Sequence, residues 1–284
     1  MLKQRVLTAV VLLAILGATV AVPSLWPLLV FLAIACGCAG WEWVKLTMPG
    51  SQLLPILVGI GLFVLSLLQA NDWINQQHPV YYWFLFCTIL STCVWLFAVI
   101  PAVLQGRAQS PARSIGWTFF APVSLYTTWS ALAYLYIHHG ALYVLSLLIL
   151  IWVADIAAYF AGKAFGRHKL APAISPGKTI EGAIAGIVAV VLWIVISSFW
   201  PASFGASLAA HWSLAGAMVC AVLLGALSII GDLFESLLKR RAGIKDSSHL
   251  LPGHGGVYDR IDAVVAVVPL AFLMTEFSPG LLPW

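Results

Sequence analysis

Residues 211–262 read HWSLAGAMVCAVLLGALSIIGDLFESLLKRRAGIKDSSHLLPGHGGVYDRID. The first part is an apolar run. Within 231–262, however, stand five of the chain's ten acidic residues and five of its fourteen basic ones. A helix needs about 20 apolar residues to cross a ~30 Å hydrocarbon core. Charge inside lipid is costly, so a polar cluster at the end of such a run marks a functional site. The whole chain agrees with a membrane reading. Of its 284 residues 62% are hydrophobic and 8% charged, against about 25% charged in a soluble domain. Long apolar spans with short links exclude a β-barrel, whose strands alternate in polarity.

The pattern predicts an all-α, polytopic helical membrane protein of about nine transmembrane helices, over 6–22, 27–46, 52–70, 79–100, 116–136, 141–165, 179–200, 211–238 and 260–278. The eighth is long enough for its C-terminal end to leave the lipid. With nine spans every Lys and Arg falls on one side, which the positive-inside rule makes cytoplasmic. The N-terminus is then cytoplasmic. The opposite side carries Asp72, Glu276 and histidines such as His78, His138 and His139. Residues 1–22 have the basic start of a signal peptide without a clear cleavage site, so they read as a retained helix. The five cysteines lie in apolar spans without a C-x-x-C pair and imply neither a metal site nor disulfides.

Only seven charged residues fall in 1–150 and seventeen in 151–284. We therefore read 1–150 as transmembrane scaffold and 151–284 as the catalytic region of one integral membrane unit. Four constellations stand out there. Asp155, Tyr159 and Gly162 share one helical face within an apolar run. Ser175-Pro176-Gly177-Lys178-Thr179 resembles a helix start, with a hydroxyl cap at Ser175 and Pro at the first position, and such a start suits phosphate. Gly177-Lys178-Thr179 is not a P-loop, since Pro172 stands where that motif needs Gly. Asp232, Glu235, Ser236 and Lys239 share a face of the eighth span. An i,i+4 ion pair accounts for Glu235 with Lys239 but leaves the deeper Asp232 unexplained, so Glu235→Gln is expected to be milder than Asp232→Asn. Last, Asp259 and Asp262 open the ninth span after a segment rich in Gly, with His249 and His254. Asp232, Asp259 and Asp262 suit Mg²⁺, a hard cation that prefers oxygen and bridges phosphates.

Ser236-x-x-Lys239-Arg240-x4-Lys245-Asp246, followed by Leu251-Pro252-x-His254-Gly255-Gly256-x-x-Asp259-Arg260-x-Asp262, resembles the signature of the phosphatidate cytidylyltransferases, or CDP-diacylglycerol synthases. The stretches Asp155…Tyr159…Gly162 and 175–179 are similar to that family too; Gly177 departs from it, since many relatives have Lys there. The resemblance implies joining CTP and phosphatidic acid into CDP-diacylglycerol and pyrophosphate. It also implies a helical membrane bundle, often a homodimer. Mg²⁺ would be the cofactor, with two metal ions conceivable and one of them monovalent. The metal set would be Asp232, Asp259 and Asp262, and the catalytic set Asp232, Lys239, Asp259 and Arg260. The substrate-binding set would be Ser175, Lys178, Thr179, Ser236, Arg240, Lys245, Asp246 and His254. CTP, phosphatidic acid and the bilayer are the expected partners, with no nucleic acid. The expected place is a bacterial inner (cytoplasmic) membrane, multi-pass, with the site facing the cytoplasm. Two other readings compete: a CTP-dependent lipid phosphotransferase of the polyprenol-kinase kind, and an anion transporter. The CDP-alcohol signature D-G-x2-A-R-x8-G-x3-D-x3-D is absent. Charge confined to one face, with no internal repeat, disfavours the transporter.

Overall fold

The computed structural model describes residues 2–75 and 79–277. His78 and the end of the ninth span lie outside them. Apart from one small hairpin and an isolated bridge between Leu251 and Gly255, the regular elements of the described chain are helices. In order it runs α1 (Leu2–Ala21), α2 (Trp26–Thr47), α3 (Leu53–Ile74), α4 (Pro79–Val94), a π-helical turn (Trp95–Val99), α5 (Ile100–Gln105), α6 (Ile115–His139) and α7 (Ala141–Phe165). After these come strands β1 (Lys169–Ala171) and β2 (Ser175–Thr179), then α8 (Ile180–Ser197), α9 (Phe204–Arg241) and α10 (Tyr258–Glu276). Each of the nine expected spans falls on a helix, because α4, the π turn and α5 form one continuous rod. Among the described residues six rods are long and apolar enough to cross a membrane by length and composition: α2, α3, the α4–α5 rod, α7, α8 and α9. The chain is thus an all-α polytopic membrane protein. The π turn ends two residues before Pro101, which has no N–H for the ladder.

Two expectations are corrected. Ser175 does not cap a helix. It opens β2, which pairs antiparallel with β1 through Lys169↔Thr179 and Ala171↔Ser175. The cap is Thr179, whose Oγ1 accepts from the amide of Gly182 at 3.2 Å. Pro176 fits an exposed hairpin strand as well as it fits the first turn of a helix, and pairing with β1 decides for the strand. The helical stretch that leads into the eighth span also starts earlier than 211. Residues from Phe204 form a short helix capped by Ser203, which ends at a kink at Ser213 (φ 61°, ψ 168°). Beyond the kink the helix continues to Arg241, roughly 42 Å at 1.5 Å per residue, and so outruns a ~30 Å core as expected.

Lipid offers apolar side chains no hydrophobic gain on association, so close approach and dispersion must hold the helices together. Small residues provide this between α7 and α8. A Cβ on Gly182 would lie 2.7 Å from the carbonyl of Ala158, and one on Gly186 3.0 Å from that of Ala154. Around the basic end of α9 aromatic rings do the same work. Phe234 meets Trp43, Trp95 and Trp117 at centroid distances of 5.6, 5.5 and 4.9 Å, and Tyr258 stacks on Trp43 at 4.8 Å. Edge-to-face and stacked contacts of this kind contribute about 0.5–1.5 kcal/mol each beyond buried area. They fix the start of α10 and the end of α9 against α2 and α6.

Candidate active site

The site lies where α7, the hairpin, α8, α9 and α10 converge. A cavity of about 460 Å³ is walled by Asp155, Tyr159 and Gly162 of α7, by Ser175, Lys178 and Thr179 of β2, and by Asp232 of α9. These residues come from three stretches that the sequence sets apart, and the fold brings them to one space. Lys163 also lines it; among the basic residues of the chain it served only to assign sidedness. Across the cavity wall Lys178 Nζ lies 2.6 Å from Asp232 Oδ2, with both side chains partly open to solvent. Ser236 Oγ donates to Asp232 Oδ1 at 3.4 Å.

Asp232 is also the edge of a carboxylate trio. Oxygens of Asp232, Glu235 and Asp262 lie within 4.8 Å of one another. Gly231 makes this approach possible, because any Cβ there would press on the backbone of Asp262 and Ala263 in α10. The donor set fits a hard divalent cation. It is all oxygen, and one oxygen, Glu235 Oε1, is buried with no hydrogen-bond partner among the described residues. A buried acceptor without a partner costs about 1–3 kcal/mol, and a bound cation would satisfy it.

Lys239 and Asp259 occupy a different setting from the cavity. Lys239 Nζ is held between Glu235 Oε2 at 2.6 Å and Asp259 Oδ1 at 2.7 Å. The i,i+4 pair read from the sequence is therefore present, and Asp259 shares the cation. Asp259 Oδ2 accepts from the amides of Gly256 and Ser247 and from Ser247 Oγ, at 2.7, 3.0 and 3.0 Å. Its first-turn position turns it back onto the preceding loop, whereas Asp262, one turn on, faces α9. The remaining candidates are spread over the adjoining surface. Arg260 donates from Nε and Nη2 to the carbonyl of His254, and Arg240 from Nε to that of Ile174. Lys245 and Asp246 are exposed on the loop after α9.

Two further residues carry structure that the sequence reading did not weigh. Glu181, in the first turn of α8, accepts from the amides of Arg167 and His168 and pins the approach to β1. Glu42, in α2, is fully buried and bonded to the loop before α10. The signal for Glu42 lies in the sequence: a carboxylate in the apolar run IACGCAGWEWV must find polar partners, as Asp155 must.

The basic residues at helix ends lie on the side of this site: Lys45 closes α2, Lys163 closes α7, and Lys239, Arg240 and Arg241 close α9. Comparison with known proteins agrees with a shared, chain-long architecture. A family model described as "Cytidylyltransferase family" matches residues 3–278. Proteins named phosphatidate cytidylyltransferase match over most of the chain. That of Haemophilus influenzae is 35% identical, covering 95% of this chain and 96% of its own. That of Pseudomonas aeruginosa is 34% identical, covering 95% of each. That of Staphylococcus aureus is 32% identical, covering 95% of this chain and 97% of its own. A match of this extent makes this protein a member of the cytidylyltransferase family.

Proposed function

We propose that the protein is a phosphatidate cytidylyltransferase: it transfers the cytidylyl group of CTP to phosphatidate, giving CDP-diacylglycerol and pyrophosphate. The observation that carries this reading is the kinship with phosphatidate cytidylyltransferases over 95% of the chain. The cavity bordered by α7, β2 and α9 supports a location for the reaction.

An ionised oxygen of the phosphatidate phosphate forms a bond to Pα of CTP. The bond from Pα to the bridging oxygen on the Pβ side breaks, and pyrophosphate departs with that electron pair. No general base is required, because the attacking oxygen is already ionised near neutral pH. The obstacle is repulsion between two anions, and positioned cationic groups remove it. Lys178 stands on the cavity wall, paired to Asp232 yet partly open, where it can meet a phosphate oxygen. Lys163 adds a second positive charge, and Ser175 a hydroxyl. Arg240, Lys245 and Arg260 place further positive charge on the rim. Half-buried Lys239 holds Glu235 and Asp259 in register. Mg²⁺ would be held by Asp232, Glu235 and Asp262, and when bound it would neutralise phosphate charge. Asp232 borders both the trio and the cavity.

The diacyl tails remain in the bilayer while the headgroup reaches the cavity from the membrane face. The common end of the basic residues supports a cytoplasmic-facing site in a bacterial inner membrane, and the family resemblance supports a homodimer. In this arrangement residues 1–150 are scaffold to the 151–284 catalytic half. The test is turnover in detergent micelles with labelled CTP, phosphatidic acid and Mg²⁺, alongside polyprenol and diacylglycerol as alternative acceptors. Formation of CDP-diacylglycerol only with phosphatidic acid supports the reading. Transfer only to a lipid alcohol would make the protein a CTP-dependent kinase instead.

A further inference from the structure

We infer that Glu42 of α2 is a positioning residue for this transfer: from the half of the chain far from the site in sequence, it caps α10 across the bundle and holds the loop that carries Ser247 and Asp259. The inference rests on the cytidylyltransferase reading for what is being positioned, and on the contacts alone for how.

Glu42, which stands between Trp41 and Trp43 in the sequence, is fully buried. A carboxylate cut off from water must find donors. It finds four. Oε1 accepts from the amide of Val257 at 3.0 Å and from Ser248 Oγ. Oε2 accepts from the amide of Tyr258 at 2.6 Å and from Ser247 Oγ at 3.2 Å. Two of these donors are amides at the very start of α10, whose own N-cap residue, Val257, supplies no side-chain bond. Glu42 therefore provides from another helix the acceptor that α10 lacks, and it puts an anion at the positive end of the helix dipole. No cation is paired with it among the described residues, so N–H and O–H dipoles alone hold its charge.

The contacts continue into the site. Ser247 Oγ lies between Glu42 Oε2 and Asp259 Oδ2, at 3.2 and 3.0 Å, and has one proton to offer both. Asp259 meets Lys239, and Lys239 meets Glu235 of the carboxylate trio. Gly256 completes the seat. A side chain there would collide with both Ser247 Oγ and the Glu42 carboxylate, so backbone packs directly on Glu42. A scaffold helix thus sets where the reacting end of α10 stands.

The test compares the full-length wild type with Glu42→Gln and Ser248→Ala in micelles, by hydrogen exchange without metal or substrate and by turnover of CTP with phosphatidate. Glutamine keeps the size of Glu42 but turns an NH₂ towards donors. Amides of 247–258 should exchange at least roughly tenfold faster in Glu42→Gln, with those of α7 and α8 unchanged. The kcat should fall on the order of 100-fold, with KM for CTP changed less than about threefold. Ser248→Ala removes one tether without disturbing the buried charge and should show the same pattern, weaker. Unchanged exchange at 247–258, or lost turnover without local loosening, would overturn the inference. Exchange rising throughout the protein would reduce Glu42 to a folding residue. If Glu42→Gln does not fold, Ser248→Ala decides alone by the same criteria. Wild-type protein inert towards CTP and phosphatidate would sink the reaction reading instead, a failure distinct from that of the tether.

Discussion

Replacing Lys239 by Met should destabilise the protein by several kcal/mol, whereas the same change at Lys178 should scarcely do so. Both lysines sit 2.6 Å from a carboxylate oxygen, so distance does not separate them. Exposure does. The side chains of Lys239, Glu235 and Asp259 are 14%, 2% and 5% exposed, against 26% and 34% for Lys178 and Asp232. Removing one partner of a buried pair typically costs about 3–5 kcal/mol because the other charge is stranded, and Lys239 leaves two carboxylates behind. An open pair contributes about 0–1 kcal/mol. Met retains most of the alkyl stem, so lost packing adds little. Unfolding in micelles can be followed by tryptophan fluorescence, since Trp43, Trp95 and Trp117 surround Phe234, the neighbour of Glu235. Adding Glu235→Gln to Lys239→Met should recover part of the loss, because the two sites are coupled. If Lys239→Met unfolds within about 1 kcal/mol of wild type, or if Lys178→Met costs as much, burial is not what governs these pairs.

Two other substitutions probe separate parts of the site. Asp232→Asn should leave stability within about 1 kcal/mol and lower kcat by at least roughly 100-fold, read by turnover beside a melting curve; near-normal turnover would make Asp232 structural. Gly256→Ala should abolish activity and loosen the loop, because the new methyl would overlap Ser247 and Glu42. Proteolysis within 243–257 measures that loosening, and an intact, active variant would mean that the loop yields easily.

Much of the site was legible because charge in an apolar chain is conspicuous. Asp155, Lys178 and Asp232 stood out that way, and all three border the cavity. Their meeting was not legible, because it depends on helix crossings set by small residues such as Gly182 and Gly186. The hairpin escaped notice for a related reason. A three-residue β1 leaves no periodic trace, and the Ser175-Pro176 pair satisfies a helix start and an edge strand alike. The kink at Ser213 is likewise silent, since nothing in the run around it forbids a straight helix. Glu42 was legible and passed over, because sparse charge in 1–150 drew the reading toward the other half.

Glu235 shows how a sound local argument can be incomplete. Its spacing to Lys239 explains one oxygen, Oε2, at 2.6 Å. It says nothing of Oε1, which is buried without a hydrogen-bond partner among the described residues, while the Glu235 carboxylate stands with Asp232 and Asp262. A carboxylate has two oxygens, and here only one is used by the pair. Beside the expectation that Glu235→Gln is milder than Asp232→Asn, the second oxygen adds one of its own. The amide must place its NH₂ either against Lys239 Nζ, where two donors repel, or among the trio, where a donor replaces an acceptor. In either orientation the trio loses charge that a divalent cation needs. The Mg²⁺ concentration for half-maximal turnover should rise at least roughly tenfold, and stabilisation of the protein by Mg²⁺ in melting curves should weaken with it. If both remain as in the wild type, Glu235 serves the ion pair alone, and the buried oxygen must be met by something other than a metal.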